Sequence, residues 1–170
     1  MSVYCLGKLI GGSERSIRTF LQNVADQSGV AISFEIDPED EAALAESPTL
    51  RSEGLTFAVY SKAGDSDVIS AWNEAREVGV QAFGTEPDCE TDVTDLALPE
   101  PVKKQLTRTK LGKFICGLLD DATFSGGIAF FDGSIRQISD ISRETCRERL
   151  LAGLLLLWDC GPDTLYVWHA

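Results

Sequence analysis

Apolar positions set the first elements of the chain. "VYCLGKLI", residues 3–10, is an apolar run of strand length. After "GGS", Ile17, Phe20, Leu21 and Val24 recur at i, i+3, i+4 and i+7, which is one helix face. Ser13 stands where an N-cap belongs, and Gly29 where a left-handed stop belongs. In "VAISFEI", residues 30–36, Val30, Ile32, Phe34 and Ile36 alternate with Ala31, Ser33 and Glu35, predicting a half-buried strand. "LTFAVYSK", 55–62, reads as another strand, followed by a helix over 67–78 carrying Val68, Trp72 and Ala75. Gly79 is expected to end that helix and "VQAF", 80–83, to form a short strand. Strand, helix and strand thus start near residues 3, 14 and 30, and again near 55, 66 and 80. With Gly12/Gly64 and Ile17/Ile69 matching, the two stretches read as similar units.

The second half begins with a loop over 85–101 that holds three prolines. Lys103, Lys104, Arg108, Lys110 and Lys113 follow, a third of the 15 basic residues. Leu111, Phe114, Ile115, Leu118, Leu119 and Ala122 repeat with helical spacing, so a basic amphipathic helix is expected from Val102 onward. In "IAFFDGSIRQIS", Asp132-Gly133 between two apolar runs predicts a type I′ hairpin. Ser142 is the expected cap of a helix reaching to about Cys160, with Gly161-Pro162 as its stop. "TLYVWH" is the last strand. Helices alternating with strands, a hairpin and long loops indicate an α+β (or mixed α/β) fold. A single domain over 1–170 is expected, with a five- to seven-stranded sheet and helices on at least one face.

Charge changes this picture more than composition does. The chain has 27 acidic and 15 basic residues, a net charge of −12. Two acidic segments, 37–54 and 85–101, carry Asp37, Glu39, Asp40 and Glu41, and Glu86, Asp88, Glu90 and Asp92. A short helix is expected in the first, with Asp37 as cap, Pro38 in the first turn and Ser47-Pro48 as the stop. This balance disfavours nucleic acid and anionic membrane surfaces and favours a basic partner. The longest apolar run, Leu150 to Trp158, falls well short of the roughly 20 residues that span a bilayer. "MSVYCLGKLI" lacks a basic leader region. The five cysteines show no Cys-x-x-Cys spacing. Free thiols in a reducing cytoplasm follow as the expectation.

Candidate chemistry is sparse. Gly11-Gly12, between a strand and a helix, has the placement of an anion cradle. It is neither a dinucleotide fingerprint nor a P-loop, and a plain turn is the simpler reading. "DCETDVTDLALP" lacks the glycine and terminal glutamate of a calcium loop. His169 is the only histidine, with no ligand cluster beside it in sequence. Cys116, Cys146 and Cys160 lie beside apolar helix positions, as buried inert thiols do. Cys89 is flanked by Asp88 and Glu90, which disfavour its thiolate. Asp120 and Asp121 close a helix where the macrodipole opposes them, so a compensating cation or ligand is expected. Tyr166 and Trp168 belong to the core unless exposed, when they would mark a binding hot spot.

No catalytic signature, cofactor motif or metal site emerges. The chain therefore reads as an acidic interaction protein rather than an enzyme. An inhibitor or immunity protein neutralising a basic partner such as a bacterial toxin is the first expectation, with the eight carboxylates above as its surface. Two alternatives remain. One is a small-ligand protein or enzyme using Gly11-Gly12 or Asp120/Asp121, and the other is an adaptor docking through the basic helix.

Overall fold

The computed structural model describes residues 4–61, 74, 77–82, 84, 98–131, 135–155 and 163–170. Among them six strands form one sheet: β1 (Tyr4–Ile10), β2 (Val30–Ser33), β3 (Gly54–Ser61), β4 (Ser125–Phe131), β5 (Gln137–Asp140) and β6 (Thr164–Trp168). The order is β2-β3-β1-β4-β6-β5. All neighbours are antiparallel except β5 and β6. The named helices are α1 (Glu14–Ser28), α2 (Pro38–Leu44), α3 (Glu100–Leu106), α4 (Lys110–Asp120) and α5 (Arg143–Gly153). A 3-10 turn spans Pro48–Arg51. The fold is α+β, and six strands fall within the expected range.

Period-two alternation sorts the strands onto two cores. Cys5, Leu9, Phe57, Val59, Ile128, Phe130, Tyr166 and Trp168 face α1, α3, α4 and α5. Leu6, Ala58, Ala129, Leu165 and Val167 face the other way and meet Leu44 and Leu50. Helices therefore cover one face, and α2 with the 3-10 turn covers part of the other. Gly127 of β4 makes the second contact possible: a Cβ there would stand 2.5 Å from Leu50 Cδ1. Lys8, on the same face, donates from Nζ to the Leu50 carbonyl at 2.8 Å.

The boundaries of α1 are those expected. Ser13 Oγ accepts from the Ser16 amide at 3.1 Å, and Gly29 closes the helix at φ 79°. β2 is shorter than the alternation suggested. Ser33 Oγ accepts from the Glu35 amide at 3.2 Å, which turns the chain. Phe34 then lies 4.2 Å from the Arg18 guanidinium rather than in the sheet. β3 lies between β1 and β2, a split β–α–β arrangement.

The last helix, expected to reach about Cys160, ends at Gly153, where the Leu154 amide bonds the Leu150 carbonyl at 3.1 Å, and Cys160, Gly161 and Pro162 lie outside the described residues. Four further expectations need correction. The strand at 80–83 is absent: residues 77–82 are helical, and Gly79 is buried within that helix. The stop is Gly84, at φ 75°, whose amide bonds the Val80 carbonyl at 2.9 Å. The two similar units therefore diverge at their third element. Residues 67–73 lie outside the described residues. Second, the loop ends earlier than 101, because Glu100 and Pro101 open α3, where proline suits the first turn.

Third, β4 and β5 do not form a hairpin, because β6 pairs with both. All five residues of β6 are buried, whereas β5 is mostly exposed. A strand apolar on both faces takes an interior position, and the more polar strand is left at the edge. Asp132 and Gly133 themselves lie outside the described residues. Fourth, the basic stretch is two helices rather than one. Thr109 Oγ1 donates to the Leu106 carbonyl at 2.6 Å and accepts from the Gly112 amide at 3.1 Å, ending α3 and starting α4. A Cβ on Gly112 would stand 1.8 Å from the Leu106 carbonyl oxygen.

Two stability predictions follow from this packing. Gly112→Ala must push the α3–α4 junction apart, because the obstructing atom is backbone. A loss of about 2 kcal/mol or more is expected from urea midpoints, and an unchanged midpoint would contradict the junction. The second prediction concerns the thiols. Burial pushes the Cys146 thiol up from 9.0 to about 12, and raises Cys5 further. The folded chain keeps both neutral while the unfolded chain ionises them above pH ~9, so protons leave on unfolding. Stability is therefore intact below that pH and declines above it, by about 1.4 kcal/mol per pH unit for each thiol. The double variant Cys5→Ala/Cys146→Ala should lose that part of the slope in denaturation from pH ~8 to ~10.5.

Candidate functional site

The carboxylates singled out in the first acidic segment sit on α2. Asp37 is its N-cap, with Oδ1 accepting from the Glu39 amide at 2.9 Å. Glu39, Asp40 and Glu41 fill the first turn, where the helix macrodipole favours negative charge. The acidic run forms a helix here because cap, proline and carboxylates all suit an N-terminus. Leu44 and Leu50 then anchor it to the sheet. Asp37, Glu39 and Glu41 are exposed, and Asp40 is half-buried. Glu41 Oε1 accepts from Thr56 Oγ1 at 3.5 Å. No described lysine or arginine makes an ion pair with these four. Glu86, Asp88, Glu90 and Asp92 lie outside the described residues, as do Cys89 and Cys160.

A second feature lies where α4 ends, α5 begins and the parallel strands β5 and β6 finish. A cleft of about 850 Å³ opens there, with Asp120, Asp140, Arg143, Arg147 and His169 among its walls. Arg147 Nη2 donates to Asp120 Oδ1 at 2.7 Å and reaches the Leu119 carbonyl at 3.4 Å. The compensation expected at the α4 C-terminus is thus supplied from α5. Asp121 Oδ1 accepts from the Thr123 amide at 2.7 Å. Hydrogen bonding from the Thr123 side chain and amide holds its carboxyl below the usual carboxylate range. His169 Nε2 lies 3.0 and 3.2 Å from the two oxygens of Asp140. Ser142 caps α5 by accepting from the Thr145 amide at 3.2 Å.

The remaining candidates are scattered. At the Gly11-Gly12 turn, Gly11 has φ 98°, and a Cβ on Gly12 would stand 2.7 Å from the Phe124 ring. The Ser13 cap already occupies the Ser16 amide. Lys103 pairs with Glu148, whose hydrogen bond raises the lysine above its ordinary range. Lys104, Arg108, Lys110 and Lys113 are exposed. Cys116 is half-buried rather than buried, and burial still pushes its thiol up. Tyr166 and Trp168 are core residues, at 6% and 0% exposure. Among the described residues no three His, Cys, Asp or Glu side chains are grouped to hold a metal ion.

The structure therefore gathers Asp120 and His169, which sequence placed 49 positions apart, with three residues that were not singled out. Arg143 and Arg147 were legible in part, because a spacing of four on a capped helix puts them on one face. Asp140 carried no such signal, since its meeting with His169 depends on β5 pairing with β6. The chain matches no known family model, and no curated protein or solved structure matches it either.

The Asp120–Arg147 pair yields a prediction of sign. An unpaired carboxylate at the end of α4 opposes the macrodipole. In an Arg147→Met background, Asp120→Asn should therefore raise stability, whereas in the native background it should lower it or leave it unchanged. The coupling should be about 0.5–1 kcal/mol, since both groups are partly solvated. A double-mutant cycle on urea midpoints measures it, and additive effects would mean that Arg147 does nothing for α4.

Proposed function

We propose that this chain is an acidic interaction protein of the bacterial cytoplasm, an inhibitor or immunity protein that neutralises a basic partner such as a toxin. The observation that carries this reading is the first turn of α2. Four carboxylates stand there without a described counter-cation, on a helix seated by Leu44 and Leu50. Charge on an ordered platform keeps a fixed direction, as steering and register require. The net charge of −12 acts in the same sense at long range. None of the helices among the described residues is long and apolar enough to cross a membrane. Glu86, Asp88, Glu90 and Asp92, outside the described residues, belong to the proposed partner-binding set on their sequence charge alone. The rival reading, docking through exposed Lys104, Arg108, Lys110 and Lys113, predicts an acidic partner instead.

Replacing Asp37 by Asn and Glu39, Asp40 and Glu41 by Gln, Asn and Gln separates charge from structure, because Asn still caps a helix. The melting temperature should stay within a few degrees of the native value. Association with the partner captured from bacterial extract should slow about tenfold or more and lose most of its salt dependence. Asp37→Ala, by contrast, should cost about 1 kcal/mol through the lost cap. A captured partner that is acidic, or association rates unaffected by neutralisation, would remove this reading.

A further inference from the structure

The cleft between α4, α5 and the ends of β5 and β6 has no part in the α2 surface. The geometry points to a binding site there for the head group of an α-amino acid, its carboxylate and ammonium held together. Its size lies in the range of small-molecule sites, and it opens at the carboxyl ends of the only parallel strand pair among the described residues.

The charges argue for a ligand of both signs. Asp120, Asp140, Arg143, Arg147 and His169 converge from four segments of the chain. A bare anion meets Asp140 and the overall charge of −12, and a bare cation meets Arg143 and Arg147. A zwitterion answers both. Asp120 is already engaged by Arg147 at 2.7 Å. Arg143 makes no ion pair among the described residues, although its charge reaches Asp121. It is the cation available to a carboxylate. The Arg143 and Glu144 amides in the first turn of α5 have no intrahelical acceptor and add to it. Asp140, three residues earlier, is the carboxylate available to an ammonium at the strand end, and Glu144 adds a second carboxylate to the cleft wall. Its present partner is His169, and both side chains are more than half exposed, at 58% and 57%. An exposed pair of this kind contributes little and exchanges readily for a better one. Ala122 and Ile141 give the cleft an apolar wall for the ligand's side chain.

The test is an amide-resonance titration of the full chain with L-alanine, and separately with acetate and with methylamine. L-alanine should shift Ser142, Arg143, Glu144 and His169 saturably, and the two half-ligands should bind about tenfold more weakly or worse. Arg143→Gln and Asp140→Asn should each weaken L-alanine binding about tenfold. If one of them fails to fold, the other decides. Acetate binding as tightly as L-alanine would make this an anion site only, and methylamine doing so a cation site only. Either result overturns the proposal, as does L-alanine binding that never saturates. The neutralised α2 variant should bind L-alanine as the native chain does, so this outcome and that of the partner assay are separate.

Discussion

The constraint on which the rest depends is that β6 is apolar on both faces. Leu165 and Val167 enter one core, and Tyr166 and Trp168 the other. Such a strand is stable only with a neighbour on each edge and a layer on each side. Its place between β4 and β5 follows, and several features follow from that place. β4 and β5 are parted, and α5 carries the chain from β5 to its parallel neighbour. The C-terminal ends of β5 and β6 open side by side beneath the start of α5, and that is where the cleft forms.

The same constraint explains which parts of the fold were legible. Elements whose evidence is local were read nearly to the residue. Ser13, Ile17 to Val24 and Gly29 define α1 without reference to anything else, and Asp37-Pro38 defines α2 in the same way. The hairpin at Asp132-Gly133 failed because a turn signal says nothing about a competing strand some thirty residues later. Gly79 failed as a helix stop because it lies buried inside the helix, and the left-handed stop comes at Gly84. The break at Thr109 was hidden by a regular run of basic and apolar residues. It depends on a contact between Gly112 and the Leu106 carbonyl that no periodicity expresses.

Charge was legible as quantity and much less so as place. The excess of carboxylates and its concentration before residue 54 were plain in sequence. That α2 would be fixed to the second face of the sheet was not, because Leu44 and Leu50 look like isolated apolar residues in a polar segment. In the cleft, Asp120 was identified by its unfavourable position at a helix end, and its partner could not be. Arg147 lies on another helix, and only the packing of α4 against α5 brings the two together. Local unfavourability pointed to the right residue, while the remedy was tertiary.

The position of β6 also sets an order of events during synthesis. β1, β2, β3 and β4 can pair with one another as soon as they leave the ribosome, since all four precede residue 132. β5 cannot, because among the described residues its only partner in the sheet is β6, the last of the six strands to emerge. Until β6 arrives, β4 presents an open apolar edge to solvent, with Ile128 and Phe130 beside it. Nascent chains in that state are the ones that chaperones bind and that aggregate when translation stalls. The β6 strand thus acts as the closing step of folding as well as the link that joins β5 to the rest of the sheet.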